Sequence, residues 1–417
     1  MKTRLKNLSF LLLSLGLALS MQAQAGNKNS FYTISGVVKN KENNRKMEYV
    51  SVSVPGTGIG TVTNEDGEFT LKINDSIRTT AIELSCVGFY NNRIPVSGMD
   101  MINQTFIMVP KYKELQDVVV MGWDPHKLVE KAAQKIPENY STTPNLLTGF
   151  YRETVQKRKN YVNISEAVIQ IYKTSYTEDL NRDRVQIIKG RKLLSPKTND
   201  TLAVKLLGGP NLSLFIDIVK NKDIMLDEET MHYFNYTMDE MVFVDGQLNY
   251  VVKFEPQMIL PYALYHGKLF IDKETLAFTR AEFNLDMRDK NKVTEMILKK
   301  KPAGLKFRPE EVSFIVSYKQ RNGITYLNYV RNEVKFKCDW QRRLFATNYT
   351  VLTEMVVTDN LIEGVTGISR KDAFSIHHSL SDQVMNFYDK DFWGAYNIIE
   401  PTESLESAVN KLKKEYK

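Results

Sequence analysis

The residues that could bind a metal or act in catalysis are few and widely spaced. The chain has five histidines, and two of them are adjacent, His377 and His378, with Asp382 shortly after. Zinc sites in proteins need three or four converging ligands, and the His-Glu-x-x-His pattern of metalloproteases does not occur. The other three histidines are far apart in sequence: His126, His232 and His266. The sequence therefore predicts neither a metal site nor a cofactor.

Short motifs that resemble functional loops lack the residues that the chemistry requires. Gly56-Thr-Gly-Ile-Gly60 is not followed by the Lys-Ser/Thr of a phosphate-binding loop. Asn64-Glu-Asp-Gly67 has glycine at its fourth position, whereas a calcium-binding EF-hand loop has it at the sixth. The Gly-x-Ser-x-Gly turn of a serine hydrolase is absent. We predict ordinary turns at both glycine motifs, no catalytic residues and no enzyme activity, with an enzyme of unrecognised type as the alternative.

Composition and charge indicate a folded protein that does not bind nucleic acid. The 417 residues are 42% hydrophobic and 25% charged, which is typical of globular chains long enough for more than one core. The net charge of +7 includes Lys2, Arg4 and Lys6, so the remainder of the chain carries only +4. The basic clusters at 299–301 and 411–414 are too short for a nucleic-acid-binding stripe.

Residues 1–25 have the three parts of a signal peptide. Lys2, Arg4 and Lys6 form a basic start, residues 8–19 form an apolar core, and Ala23-Gln-Ala25 is a cleavage site. No cysteine follows that could carry a lipid anchor, and no later stretch has the length of a membrane helix. We expect a periplasmic or outer-membrane-associated protein that starts at Gly26 and has no transmembrane segment.

Residues 31–121 alternate short apolar segments with turn-forming residues, which predicts a β-sandwich. The ordered motifs are Ile34-Ser-Gly-Val-Val38, Val52-Ser-Val-Pro-Gly-Thr57, Gly60-Thr-Val-Thr-Asn-Glu-Asp-Gly-Glu-Phe-Thr-Leu71, Cys86-Val-Gly-Phe-Tyr90 and Leu115-Gln-Asp-Val-Val-Val-Met-Gly122. Gly67 can supply the positive φ of a tight hairpin. This series resembles the carboxypeptidase regulatory-like domain of Bacteroidetes proteins, which implies a transthyretin-like sandwich without peptidase activity. The same domain also precedes TonB-dependent nutrient receptors.

A helix is predicted within residues 122–140, between the sandwich and the rest of the chain. Asp124 and Pro125 suit the N-cap and the first helical position. Apolar residues then recur at helical spacing from Leu128 to Ile136, and the pattern stops before Pro137. Such a stripe packs against a core.

Residues 145–370 show the period-two alternation of an antiparallel sheet that is buried on one face, as in Val312–Tyr318. Turns are predicted at Asp245-Gly246, Asp272–Thr275, Asp289–Asn291 and Arg321-Asn-Gly323. The stretch Tyr265–Phe283 resembles the hairpin of lipoprotein-carrier-like half-barrels, which implies a curled sheet with a covering segment. Leu206–Val219 is the predicted cover, with Asn211 capping a helix that carries Leu212, Phe215, Ile216 and Val219. The predicted fold class is therefore mainly β.

A cover that leaves part of the apolar face open creates a pocket. The aromatic side chains predicted to line it are Tyr250, Phe254, Phe270 and Phe314. Such a pocket suits an apolar or amphipathic ligand. A fully packed core without a cavity is the alternative.

Residues 371–417 form a tail that is first aromatic and then helical. The aromatic residues are Phe387, Tyr388, Phe392, Trp393 and Tyr396, and the helix follows Pro401. We predict that the tail docks on the sheet. Asp391–Pro401 and Gly149-Phe-Tyr-Arg-Glu153 resemble stretches of exported Bacteroidetes proteins that pair these two domains. Arg152 and Glu153 are predicted to form strand-surface or cross-strand pairs.

The sequence thus predicts a non-enzymatic binding or interaction protein of the cell envelope. Its partner is expected to be a hydrophobic ligand or an envelope protein. The alternative is an accessory or docking component of an outer-membrane nutrient-uptake system. Cys86 and Cys338 fall in different predicted domains, and we expect both to be free thiols.

Overall fold

The computed structural model describes residues 31–111, 122–197, 204–206, 208–340, 345–386 and 392–415. The predicted signal peptide at 1–25, the predicted strand Leu115–Met121, and Phe387, Tyr388 and Asp391 of the tail lie outside these residues. The described chain is mainly β: a sandwich is followed by one large, almost entirely antiparallel sheet.

The sandwich packs a three-stranded sheet in the order β4-β1-β7 on a four-stranded sheet in the order β3-β2-β5-β6. Apolar side chains that alternate along the strands meet between the sheets, among them Ile34, Val52 and Leu71. The strands are β1 (Phe31–Asn40), β2 (Ser51–Ser53), β3 (Gly60–Val62), β4 (Glu68–Asn74), β5 (Ala81–Ser85), β6 (Asn92–Pro95) and β7 (Met101–Met108).

Two glycines of the sandwich motifs are required by the backbone. Gly36 lies at a register shift where β1 and β7 run parallel, and a Cβ there would lie 2.0 Å from the carbonyl oxygen of Gln104. Gly67 has φ of 70° and closes the turn that begins at Asn64. The Asn64 side-chain oxygen accepts the amides of Asp66 and Glu68, each at 2.9 Å. Asn64–Gly67 is therefore a turn, as predicted.

The predicted link helix is present as α1 (Pro125–Gln134), and the Asp124 carboxylate accepts the amides of His126 and Lys127. Its Leu128 and Val129 side chains are fully buried. A separate helical turn, α2 (Ile136–Asn139), follows at once and contains Pro137 near its start, where proline is tolerated.

The large sheet has the order β12-β13-β14-β15-β17-β18-β19-β8-β9-β10-β20, and the short edge strand β20 runs parallel to β10. The last long strand, β19, pairs with the first, β8, so the meander returns to its start. A two-stranded ribbon of β11 (Lys205–Leu206) and β16 (Leu298–Lys300) lies apart from it. The sheet strands are β8 (Asn145–Lys157), β9 (Asn160–Lys173), β10 (Arg184–Leu194), β12 (Phe234–Val244), β13 (Gln247–Pro256), β14 (Tyr265–Asp272), β15 (Phe278–Leu285), β17 (Leu305–Arg321), β18 (Ile324–Trp340), β19 (Thr347–Leu361) and β20 (Met385–Asn386).

The two faces of this sheet bury different partners. The inner face, which carries Tyr151, Val252 and Val316, forms one continuous core with α1 and with a covering segment at residues 208–233. The outer face, which carries Phe150 and Val168, packs against the sandwich and the C-terminal tail. The remaining helices are α3 (Leu212–Phe215), α4 (Glu228–Met231), α5 (Lys290–Ile297), α6 (Leu380–Gln383) and α7 (Glu403–Glu415).

The predicted hairpin turns are confirmed in the sheet, with one exception. Asn322 and Gly323 have φ of 51° and 83°, the left-handed pair that a two-residue hairpin needs, and Asp245-Gly246 does the same. The turn predicted at Asp289–Asn291 is wrong, because the Asp289 carboxylate caps α5 instead. Aspartate suits an N-cap as well as a turn, so the residue type alone did not separate the two.

The predicted covering helix is also wrong in its length. Only Leu212–Phe215 is helical, the Asn211 side chain makes no capping hydrogen bond, and Phe215 is exposed. Ile216 and Val219 of the predicted stripe are buried, and so is Leu214, which the stripe did not include. After one helical turn the chain continues as turns, so burial no longer follows a helical period.

Both cysteines are free thiols, as predicted, and they belong to different cores. Cys338 is buried in the inner core, and burial raises the pKa of its thiol to about 11. Cys86 packs against the sandwich core, where burial also raises the thiol pKa. No helix among the described residues is long and apolar enough to cross a membrane.

Candidate functional site

An open cleft of about 340 Å³ lies on the inner face of the large sheet. Its floor is formed by β8, β9, β18 and β19, and its walls by residues 204–212 and 376–382. Elsewhere the same face is covered by packed side chains. We call this opening the inner-face cleft.

The floor of the inner-face cleft consists of two cross-strand rows, one apolar and one polar. Val351 is paired with Val155 on one side and with Val334 on the other. One step along the strands on the same face, Thr353 is paired with Glu153 and with Asn332. Side chains directly opposite on neighbouring strands are close enough to form a continuous surface. The floor is therefore amphipathic: it can cover an alkyl group and place a polar group beside it.

Glu153 is the ionisable group of the polar row. The hydroxyl of Tyr151 donates to its carboxylate at 3.3 Å. Burial raises the pKa of Glu153, and the hydrogen bond from Tyr151 opposes the shift without cancelling it. No cation pairs with Glu153 in the contacts of the described residues, so its charged form is less stable here than in water.

The raised pKa predicts a pH-dependent effect of Glu153→Gln. A carboxyl whose pKa is higher in the folded state contributes stability below its unfolded pKa, and this contribution is lost as pH rises through the folded pKa. The variant should therefore melt at a higher temperature than wild type at neutral pH, with the difference vanishing in acid. Thermal melts from about pH 4 to about pH 8 measure this, with the exposed Glu240→Gln as control. A difference independent of pH would contradict the assignment.

The two walls of the cleft are tied to each other. The Asn211 side chain donates to the carbonyl of Phe374 at 3.0 Å, and Gly209, with φ of 77°, lies against the Phe374 ring. On the far side, Lys299 donates to the carbonyl of Ile376 at 2.9 Å. These contacts connect the chain segments on the two sides of the cleft to each other.

His377 and His378 lie at the exposed edge of this cleft together with Asp382. The described residues contain no group of three or more histidine, cysteine or carboxylate side chains placed to hold a metal. The two histidines therefore count as polar residues of the rim.

The four aromatic residues predicted to line a pocket do not share one surface. Tyr250, Phe254 and Phe314 lie in the packed inner core, whereas Phe270 lies on the outer face with Val244 and Val251. Phe270 is paired with Val251, the residue after Tyr250. Neighbours along a strand point to opposite faces, so Phe270 and Tyr250 lie on opposite sides of the sheet. None of the four lines the inner-face cleft, which opens at the β8, β9 and β19 part of the sheet.

The covering segment is anchored by a fully buried ionic network. The Lys173 ammonium lies 2.8 Å from the Asp217 carboxylate and 3.5 Å from that of Asp183. The hydroxyls of Tyr318 and Tyr176 also donate to Asp217, at 2.8 and 3.1 Å. Asp217 thereby connects the covering segment to the ends of β9 and β17.

Lys220 completes this network beside Asp183, at 3.7 Å, and donates to the Thr174 hydroxyl at 2.8 Å. Burial lowers the pKa of Lys220, and the nearby Lys173 adds to this. Burial also acts to lower the pKa of Lys173, but the carboxylates of Asp217 and Asp183 outweigh burial, so the pKa of Lys173 is raised. Sequence reasoning missed the network, although an aspartate inside the apolar run Leu214–Val219 was an available signal.

A second buried network joins the sheet to the tail on the outer face. Glu166 accepts Arg152 and Arg191, both at 2.8 Å. Burial opposes ionisation of Glu166, but the two guanidinium groups outweigh it and lower its pKa. Arg152 also donates to the carbonyl of Ile399 at 2.7 Å. Of the two alternatives predicted for Arg152, the cross-strand pair is confirmed, because Arg152 pairs with Glu166 directly opposite on β9. The strand-surface position is wrong, because the Arg152 side chain is buried, and Glu153 points to the other face.

The tail in turn holds the sandwich. The Asn397 side chain pairs with the backbone of Lys72, at 2.7 and 3.1 Å, and Thr61 donates to the carbonyl of Ile398 at 2.8 Å. Trp393 packs edge-on against Phe150, with ring centroids 5.3 Å apart. The two motifs at 149–153 and 392–401 therefore meet in space and form one junction between sheet, tail and sandwich.

Comparison with family models confirms the prediction for the sandwich: residues 34–120 match the CarboxypepD_reg-like domain. No curated protein matches the chain. Solved structures resemble it at low identity and low TM-score. One is a putative outer membrane lipoprotein-sorting protein domain from Vibrio parahaemolyticus, 11% identical, with a TM-score of 0.31, covering 60% of this chain and 97% of that one.

Two further structures resemble the chain at this level. A DUF1329 family protein from Desulfovibrio piger is 14% identical, with a TM-score of 0.24, over 58% of this chain and 96% of that one. MucB is 12% identical, with a TM-score of 0.17, over 56% of this chain and 98% of that one.

Proposed function

We propose that the protein is an exported, non-enzymatic binding protein of the cell envelope that holds an apolar or amphipathic ligand in the inner-face cleft. The observation that carries this proposal is an open, mostly apolar cleft on a sheet face that is otherwise packed. Its volume of about 340 Å³ lies within the range typical of small-molecule sites.

The two rows of the floor give the binding mode. The valine row covers the apolar part of the ligand, and burial of that surface supplies the affinity. The polar row of Glu153, Thr353 and Asn332 orients the ligand's polar end, because polar groups left without partners in such a site are costly. The signal motif at residues 1–25 and the CarboxypepD_reg-like domain support a location in the envelope.

Val351→Trp tests this function. The indole placed between Val155 and Val334 would fill the floor of the cleft, and the affinity for an apolar ligand should fall at least about tenfold. Fluorescence titration with the uncharged apolar dye N-phenylnaphthylamine measures it. Lys306→Trp, at an exposed position of β17, is the matched control and should bind like wild type. Equal binding by both variants would place the dye elsewhere and contradict the site.

The sandwich supports a second candidate function, docking to an outer-membrane nutrient-uptake protein. Several large apolar side chains are exposed on it: Tyr90, Met99, Ile102, Ile107 and Val109. Exposed apolar patches often mark interaction surfaces. This function makes no use of the cleft, so Val351→Trp would leave it unchanged.

A further inference from the structure

A second cleft, of about 690 Å³, adjoins the first and is lined by cationic side chains. Lys157 ends β8, Arg158 and Lys159 form the turn to β9, Lys197 follows β10, and Lys411 lies on α7. None of the described residues that line it is acidic. We call it the basic cleft.

Local structure gathers these charges on one side. Along a strand, consecutive side chains would point to opposite faces, but residues 158–159 form the hairpin turn, with Arg158 at φ of 59°. Helix α7 is fixed over β9 and β10 because its Leu405 and Leu412 pack against Ile164 and Leu193. Lys411, next to Leu412, is thereby held at the cleft.

The surroundings of the cations suit an anion. Hydroxyl and amide side chains share the lining: Asn160, Tyr161, Ser195, Thr347, Ser404 and Ser407. Glu403 and Glu406 of α7 line a neighbouring depression, which shares Ser407 and Lys411 with the basic cleft. A concave surface with one sign of charge concentrates ligands of the opposite sign.

The basic cleft and the inner-face cleft share two lining residues. Val162 and Ser195 line both of them. Val162 lies at a register shift near the start of β9, where the pairing with β8 is interrupted after Val155. Val162 and Ser195 therefore contact both the lining that contains the valine row and the cationic lining.

We propose that the ligand is an amphiphile with a phosphate-bearing head group, whose alkyl chain lies in the inner-face cleft and whose phosphate lies in the basic cleft. This inference rests on the proposed function, because it places the alkyl chain in the same site. Lysine and arginine hold phosphate oxygens through charge-assisted hydrogen bonds. In this arrangement the alkyl chain and the head group of the ligand join near the shared residues Val162 and Ser195.

The test compares ligands with the same chain: dodecyl phosphate, dodecylphosphocholine, whose head group has no net charge, and inorganic phosphate alone. Isothermal titration below the micelle concentration measures binding to the full chain at low and high salt. We expect dodecyl phosphate to bind roughly tenfold more tightly than dodecylphosphocholine at low salt, and salt to reduce this ratio. Lys159→Glu combined with Lys411→Glu should bring the ratio close to one. Lys306→Glu combined with Lys371→Glu, the same charge change at exposed positions elsewhere, should preserve it.

Each other outcome has a defined meaning. Equal affinity for both amphiphiles, or a ratio unchanged by the double variant, overturns this inference and leaves the proposed function standing. Binding of neither amphiphile overturns both. Inorganic phosphate that binds without competing with dodecyl phosphate would make the basic cleft a separate anion site and also overturn the inference.

Discussion

Asp217→Ala should lower the free energy of unfolding by about 3–5 kcal/mol, because it removes one partner from a buried ionic network. Lys173 would lose its 2.8 Å contact, and the hydroxyls of Tyr176 and Tyr318 would lose their acceptor. Each unpaired buried donor costs about 1–3 kcal/mol by itself. Urea denaturation measures the loss.

The location of the effect separates this account from general destabilisation. Asp217 holds the covering segment, so amide hydrogen exchange in residues 208–233 should accelerate before that in the sandwich. Asp239→Ala is the matched control: Asp239 also contacts two lysines, Lys253 and Lys268, each at 3.0 Å, but near the surface. Exposed pairs contribute about 1 kcal/mol or less. An Asp217→Ala variant no less stable than the control would contradict the role of the network.

Arg152→Ala should release the C-terminal tail and destabilise the protein by about 3–5 kcal/mol. The change leaves Glu166 with Arg191 alone and removes the donor to Ile399. The tail also connects the sandwich to the sheet, so the loss should reach the sandwich contacts of Asn397. Limited proteolysis under native conditions should cut within residues 392–415 in the variant.

Arg308→Ala provides the control for this second prediction. Arg308 pairs with Asp339 at 2.9 Å, and both side chains are partly exposed. Its removal should cost about 1 kcal/mol or less and leave the tail resistant to protease. A tail equally protected in Arg152→Ala would show that Trp393 and Phe150 hold it without the arginine.

The elements of the fold could be predicted from local sequence because local physics determines them. Alternation along Val312–Tyr318 indicated a strand with one buried face, and Asn322-Gly323 indicated a hairpin through its left-handed backbone preference. Gly36 and Gly67 belong to sandwich motifs because the backbone leaves no room for a side chain at one and needs positive φ at the other.

The site could not be predicted in the same way, because it depends on contacts between distant segments. A period of two shows that side chains alternate, but not which set faces inward, and Phe270 was placed on the wrong side for this reason. The pairing of β19 with β8 brings Val351 beside Val155, nearly two hundred positions apart in the chain. The position of the opening depends on where the covering segment ends. That segment has only one helical turn, so no local sequence pattern describes its path.

The outer-face junction shows the same limit. Arg152 and Glu153 are adjacent in sequence, so a local pairing was the natural interpretation, but neighbours in a strand point to opposite faces. Arg152 instead pairs with Glu166, directly opposite on β9. Glu153 points into the cleft, where burial raises the pKa of its carboxyl group.

Native mass spectrometry of protein purified from the envelope of its own host tests the binding function most directly. We expect a non-covalent apolar ligand of defined mass on the wild-type protein and on Lys306→Trp, and its loss from Val351→Trp, whose indole fills the inner-face cleft. A protein that carries no ligand in repeated preparations, or a ligand retained equally by Val351→Trp, would contradict the proposal that this cleft is the binding site.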